Sequence, residues 1–147
     1  MAANPQQSSL SGFARALIQA GRLQENEAET QLSQATAKKI SLIEQLVSAK
    51  KATFLELAQF ASDKFGYPLL DLSAFDDALI PRNAVDRKLI AAHHVIPLYK
   101  RGNRLAIAIA DPTNLRALDE VRFQTGLAVD PVIVEEGKLA PLVSKFS

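Results

Sequence analysis

The apolar residues of this chain change their period part-way along, and that change decides what the chain can fold into. From Leu10 to Phe65 they recur at helical intervals. Leu10, Phe13, Ala14, Leu17 and Ile18 fall on one face, and Gly21 follows as a natural stop. A second helix is predicted from Glu25 to Lys38, with Ala28, Leu32 and Ala35 on one side. A third places Ile40, Ile43, Leu46 and Val47 inward and ends at Lys50-Lys51, cations that suit a helix C-terminus. The fourth starts at Thr53-Phe54-Leu55-Glu56, a capping-box pattern, and carries Phe54, Leu57, Ala58, Ala61 and Phe65. Four short helices therefore form two helix–turn–helix units at similar spacing.

Beyond Gly66 short alternating runs take over. Tyr67 to Leu72 reads as a strand-like piece, and Pro81 suits the first turn of a helix bearing Val85, Leu89, Ile90 and Ala92. Val95–Tyr99 and Arg104–Ala110 are predicted strands joined at Arg101-Gly102-Asn103, where Gly and Asn supply the positive φ of a tight hairpin. In the second strand Leu105, Ile107 and Ile109 alternate with Ala106, Ala108 and Ala110, whose small side chains leave room for a helix. Asp111-Pro112-Thr113-Asn114 opens a helix carrying Leu115, Leu118, Val121 and Phe123 and ending at Gly126. Leu127–Val134 is a third strand, broken or edge-placed by Pro131. A last helix after Gly137 carries Leu139, Leu142, Val143 and Phe146. The expected fold is α+β: an N-terminal bundle of short helices, then a small α/β sandwich (β-β-α-β-α) with helices packed on one sheet. The expected domains are a disordered leader over residues 1–9, a helical subdomain over 10–65 and an α/β domain over 66–147.

Charge excludes several functions. The chain has 17 Lys+Arg against 16 Asp+Glu, and dividing it at Gly66 leaves 7 and 6 before, 10 and 10 after. Neither half is basic enough to track phosphates, so no nucleic-acid partner is expected. Without cysteine there is no disulfide, zinc-thiolate site or cysteine nucleophile, which fits a reducing, cytoplasmic setting. The polar start resembles no signal peptide, and the apolar run Leu105–Ala110 is too short to span a bilayer, so membrane insertion is not expected.

Catalytic constellations are missing too. A phosphate-binding loop needs G-x-x-x-x-G-K-[ST], so that backbone N–H groups and a Lys surround the phosphates. The Gly137-Lys138 pair has Val132 at the earlier glycine position and Leu139 at the hydroxyl position. The adjacent histidines His93-His94 have no further His or Cys to complete a metal site and read as helix-end residues. Asp76-Asp77 read as solvated loop acids, since no base, nucleophile or phosphate cradle accompanies them. Lys38-Lys39 and Lys50-Lys51 flank the third helix as a candidate patch for an anion or acidic partner, or as ordinary helix-end solvation. No catalytic, cofactor-binding or metal-binding residue is assigned.

The second half resembles the N-terminal domain of the type II secretion and type IV pilus traffic ATPases. The resemblance rests on His94-Val95-Ile96-Pro97-Leu98, then Leu105 to Asn114 (LAIAIADPTN), Ala117 to Val121, Phe123 to Gly126 and Val129 to Val132. With Phe65 to Leu72 (FGYPLLDL), it covers most of residues 65–146 in order. Phe75-Asp76 and the helical first half resemble the PilB-type extension branch in particular. The resemblance implies a hexameric motor for pilus assembly and twitching motility, peripheral to the inner membrane, whose ATP- and magnesium-binding core lies beyond Ser147. This stretch is then a non-enzymatic regulatory and protein-docking module without a cofactor of its own. A PilZ-domain adaptor and inner-membrane platform proteins are its implied partners, and a type II secretion ATPase is the alternative setting.

The helical half also resembles the version of this region that binds cyclic di-GMP. There two motifs begin Arg-Leu-Gly, the Arg contacts the dinucleotide, and a Gly sits at the helix turn. Here the first begins Gly12-Phe13-Ala14 and keeps Gly21, while the second begins Ser41-Leu42-Ile43 and has Lys50 at the turn. Both arginines are absent. A lost charged hydrogen bond costs about 1.5–3 kcal/mol, so two losses weaken binding roughly 10²–10⁴-fold. Protein docking through the first helix is therefore expected, with Phe13 and Leu17 as candidate contacts, and cyclic di-GMP sensing is the alternative.

Overall fold

The computed structural model describes residues 11–147. The leader expected over residues 1–9 and the Leu10 start of the first helix lie outside them. The chain gathers into two compact units that divide between Phe54 and Leu55.

The first unit contains α1 (Gly12–Gln19), α2 (Glu25–Lys38) and α3 (Leu42–Ser48). Serine caps two of these helices. The Ser11 hydroxyl accepts from the Ala14 N–H, and the Ser41 hydroxyl accepts from the Glu44 N–H, both at 3.1 Å. On α2 the inward positions are Ala28, Gln31 and Ala35, and Leu32 is only half-buried. Gln31 faces inward because it has a polar partner there: Gln45 Nε2 donates to Gln31 Oε1 at 2.8 Å and to Gln34 Oε1 at 2.9 Å. These bonds join α2 to α3 through a glutamine that is 1% exposed.

The second unit opens at Leu55, one residue into α4 (Phe54–Phe65). The expected boundary lay at the end of this helix, whereas the units divide at its beginning. The physical tie is local: Ser62 Oγ donates to the Tyr67 carbonyl at 2.6 Å, holding α4 to the segment that follows Gly66. That segment pairs with the sheet through only one bridge, Leu69 with Ile133. The Leu70 N–H donates to Ile133 O and the Ile133 N–H to Pro68 O. Two 3₁₀ turns follow, Leu72–Ala74 and Asp77–Leu79.

The helix expected from Pro81 starts later, as α5 (Arg87–His93). Asp86 sets the start, its carboxylate accepting from the Lys88 N–H at 2.9 Å. Three strands follow in the order β1-β2-β3: β1 (Ile96–Arg101), β2 (Arg104–Ile109) and β3 (Ala128–Ile133). The hairpin β1-β2 is antiparallel and turns through Gly102 at φ +59°. Gly102 alone supplies positive φ, as in a two-residue turn with glycine at its first central position. Strand β3 runs parallel to β2, reached through the crossover helix α6 (Leu115–Thr125), and α7 (Glu136–Phe146) closes the unit. Pro131 sits opposite Ile107 on β3, which borders β2 on one side and, among the described residues, is bridged on the other only at Ile133.

Every residue from Leu105 to Ala110 is buried, so β2 is covered on both faces. The α+β class and the order β-β-α-β-α stand as read from the sequence. One helix face does not. Ala117, Leu118 and Val121 point inward, while Leu115 and Phe123 are 62% and 93% exposed. At about 100° per residue, Phe123 lies roughly 200° around the helix from Val121 and is carried to the opposite side.

Candidate functional site

The two helix–turn–helix units repeat with an offset of 29 residues between α2 and α4, which begin at Glu25 and Phe54. Their turns have the same construction. After α1 the Arg22 N–H donates to Leu17 O and the Gly21 N–H to Ile18 O, with Gly21 at φ +75°. After α3 the Lys51 N–H donates to Leu46 O and the Lys50 N–H to Val47 O, with Lys50 at φ +59°. Both are Schellman-type ends with a left-handed residue. Lys50 thus occupies the conformation of the missing turn glycine, which a side chain adopts only under strain. Lys39 caps α2 in the same way at φ +60°.

The candidate docking residues are not on the surface. Phe13 is 1% exposed and Leu17 3%, so both belong to the core of the first unit. The i, i+4 spacing that marked them as an apolar face is the spacing that buries them. Gly12 and Ser41, at the two motif-arginine positions, begin α1 and cap α3. Of the paired lysines, Lys51 is engaged by Glu27 at 3.0 Å, and the Lys51 ammonium holds the Glu27 carboxyl below its usual range.

Asp76 and Asp77 have structural partners. The Asp76 carboxylate accepts from the Ala78 N–H, and Lys145 Nζ lies 2.8 Å from Asp77 Oδ2, depressing that carboxyl. Lys138 binds Asp71 at 2.8 Å and Glu135 at 2.9 Å, which raises the Lys138 ammonium. These pairs fasten the 71–77 segment to α7. Leu72, Phe75, Pro141 and Leu142 line a shallow, open groove beside them, with a volume of about 350 Å³.

The histidines turn out to bridge helices. His93 Nε2 lies 2.6 Å from Glu120 Oε2 on α6, and this contact, with the Arg116 guanidinium, depresses the Glu120 carboxyl. His94 Nε2 lies 2.6 Å from Glu136 Oε2 on α7. Glu136 is 3% exposed, and Asp111 at the end of β2 is half-buried. Burial raises the Asp111 carboxyl above its ordinary range, bonds from Thr113 pull it partly back, and the nearby Glu136 charge raises it further. Sequence spacing concealed this group, because its members are 17 and 25 residues apart along the chain (His94, Asp111, Glu136). Among the described residues no set of three metal-ligating side chains is brought together, and no helix is long and apolar enough to cross a membrane.

Comparison with known proteins decides the family. The MshEN domain profile matches residues 65–147, more than half of the chain. The chain belongs to the MshEN domain family. Over 137 residues this MshEN-domain chain is 40% identical to the type IV pilus assembly ATPase PilB of Pseudomonas aeruginosa, covering 93% of the chain and 24% of that protein. It is 38% identical to PilB of Acinetobacter baylyi, covering 92% and 23%. The chain thus spans about a quarter of the length of the curated relatives it matches. Among solved structures, MshE with cdg superposes at a TM-score of 0.64 with 21% identity, covering 92% of this chain and 98% of that one. The N-terminal domain of XpsE superposes at 0.65 with 20% identity, covering 99% of both. These two likenesses establish the shared fold.

Proposed function

We propose that this MshEN domain is the N-terminal regulatory and protein-docking module of a type IV pilus assembly ATPase. In this reading it couples the motor to a PilZ-domain adaptor and to inner-membrane platform proteins. The observation that carries the reading is the 40% identity to PilB across 93% of the chain, which takes in the helical units as well as the α/β part. The module has no phosphate-binding loop of its own, and ATP hydrolysis is assigned to the remainder of a longer, hexameric protein. The site of action is the cytoplasmic face of the inner membrane.

The test is direct binding of residues 1–147 to a purified PilZ-domain adaptor and to the cytoplasmic part of the platform, by calorimetry. Saturable binding to either supports the proposal. Absence of binding to both, with the domain folded, overturns it.

A second reading, cyclic di-GMP sensing, has one specific observation in its favour: MshE, of the same fold, was solved with cdg. Against it stand Gly12 and Ser41 at the arginine positions. The preserved left-handed turns at Gly21 and Lys50 keep the frame of such a site without its charged contacts. Docking is therefore preferred.

A further inference from the structure

The pairing of His94 with Glu136 has no role in the docking or nucleotide readings, yet it places ionisable groups where water is excluded. Glu136 is the first residue of α7, where the helix dipole favours a negative charge. At 3% exposure a charged carboxylate there still needs a cation close by. The imidazole 2.6 Å away is such a cation only while protonated. Near Glu136 stands Asp111, anchored by the Thr113 N–H at 2.9 Å and by the Thr113 hydroxyl. A half-buried carboxyl thus stands near the buried Glu136, whose imidazole partner is His94.

The surrounding charges are committed elsewhere. His93 is taken by Glu120, which also holds Arg116. Glu135 and Asp71 are taken by Lys138, Asp77 by Lys145, and Arg104 by Asp130. Arg87, Lys88, Lys100 and Arg101 on α5 and β1 are exposed. His94 also sits at φ +56° as the C-cap of α5, a left-handed conformation that a side chain adopts at a cost. The imidazole is held there against backbone preference, facing α7.

We infer that His94 and Glu136 form a proton-dependent latch that holds the first turn of α7 to the C-terminal end of α5. While the imidazole carries its proton, the Glu136 charge is matched. When pH rises and that proton leaves, the Glu136 charge loses its imidazolium partner while the Asp111 carboxyl stays nearby. The first turn of α7 then separates from α5, while the β2–β3 ladder, which has no titratable group in its buried pairs, stays closed.

The experiment is amide hydrogen exchange by NMR on the 147-residue chain from pH 5.5 to 8.5, corrected for intrinsic exchange. The reporters are the amides of Leu139 and His94, which donate to Glu135 O and Ile90 O, with Ile107 as control. Loss of one proton makes the local opening constant rise up to about tenfold per pH unit through the imidazole titration range. Ile107 should show no such slope. Glu136→Gln and His94→Asn should each flatten the slope, Asn being tolerant of left-handed backbone. The wild-type ring and side-chain resonances give an independent reading. Titration of the His94 ring should shift the Glu136 carboxyl carbon with the same midpoint. A pH-independent opening constant in the wild type overturns the latch. So does a slope that survives in both variants, or a His94 ring that titrates while Glu136 stays unmoved.

Discussion

Replacing Lys50 by glycine should stabilise the first unit. Lys50 holds φ +59° at the end of α3, where the equivalent residue after α1 is Gly21 at φ +75°. A left-handed backbone costs a side-chain-bearing residue about 1–2 kcal/mol. Glycine removes that cost but adds roughly 0.5–1 kcal/mol of chain entropy to the unfolded state. The net gain is about 0.5–1 kcal/mol, because Lys50 is exposed and the change removes no ion pair among the described residues. For a small domain this corresponds to an increase in Tm of roughly 2–8 °C. The reciprocal change, Gly21→Ala, should lower stability by about 1 kcal/mol. No heavy atom lies within 4 Å of the added Cβ, so the penalty there is purely conformational. Thermal and urea unfolding of both variants, followed by circular dichroism and by tyrosine-independent helix signal, measures the two effects. A neutral or destabilising Lys50→Gly together with a neutral Gly21→Ala would refute the equivalence of the two turns.

Further changes separate core from surface. Phe13→Ala should cost about 3–5 kcal/mol, as expected for a buried aromatic, and a urea-midpoint shift below a quarter of that would mean Phe13 is not core. Phe123→Ser should leave stability within about 0.5 kcal/mol, because the ring is 93% exposed. If α6 takes part in docking, the same variant should bind the adaptor more weakly in calorimetry. Asp111→Asn should raise stability at neutral pH. The Asp111 carboxyl is raised on folding, so the native state binds its proton more tightly, and stability grows as pH falls through the folded value toward the unfolded one, about 3.9. The Asn variant should lose that acid-side gain, and an unchanged pH–stability profile would contradict it.

The secondary structure was legible wherever the period was strong. The span of α2 and the start of α4 fell where capping residues and periodicity put them, and the β-β-α-β-α order followed from alternation and turn residues. The misreadings share a cause: apolar character does not say which side of a helix faces in. Phe123 was grouped with Leu118 and Val121 although it lies on the opposite side, and Phe13 was offered as a contact although it is core. Gln31 replaced Leu32 inside because a distant partner, Gln45, satisfies it, and no local pattern reports that. The histidines read as helix-end residues, which they are, but their carboxylate partners arrive from α6 and α7 only once the sheet is assembled.

Calorimetry with cyclic di-GMP, run beside the PilZ-domain adaptor on the same preparation, tests the docking account most directly. The account predicts saturable adaptor binding and no nucleotide heat in the micromolar range, because two charged contacts worth about 1.5–3 kcal/mol each are absent at Gly12 and Ser41. Micromolar or tighter binding of cyclic di-GMP, with no response to the adaptor, would contradict it.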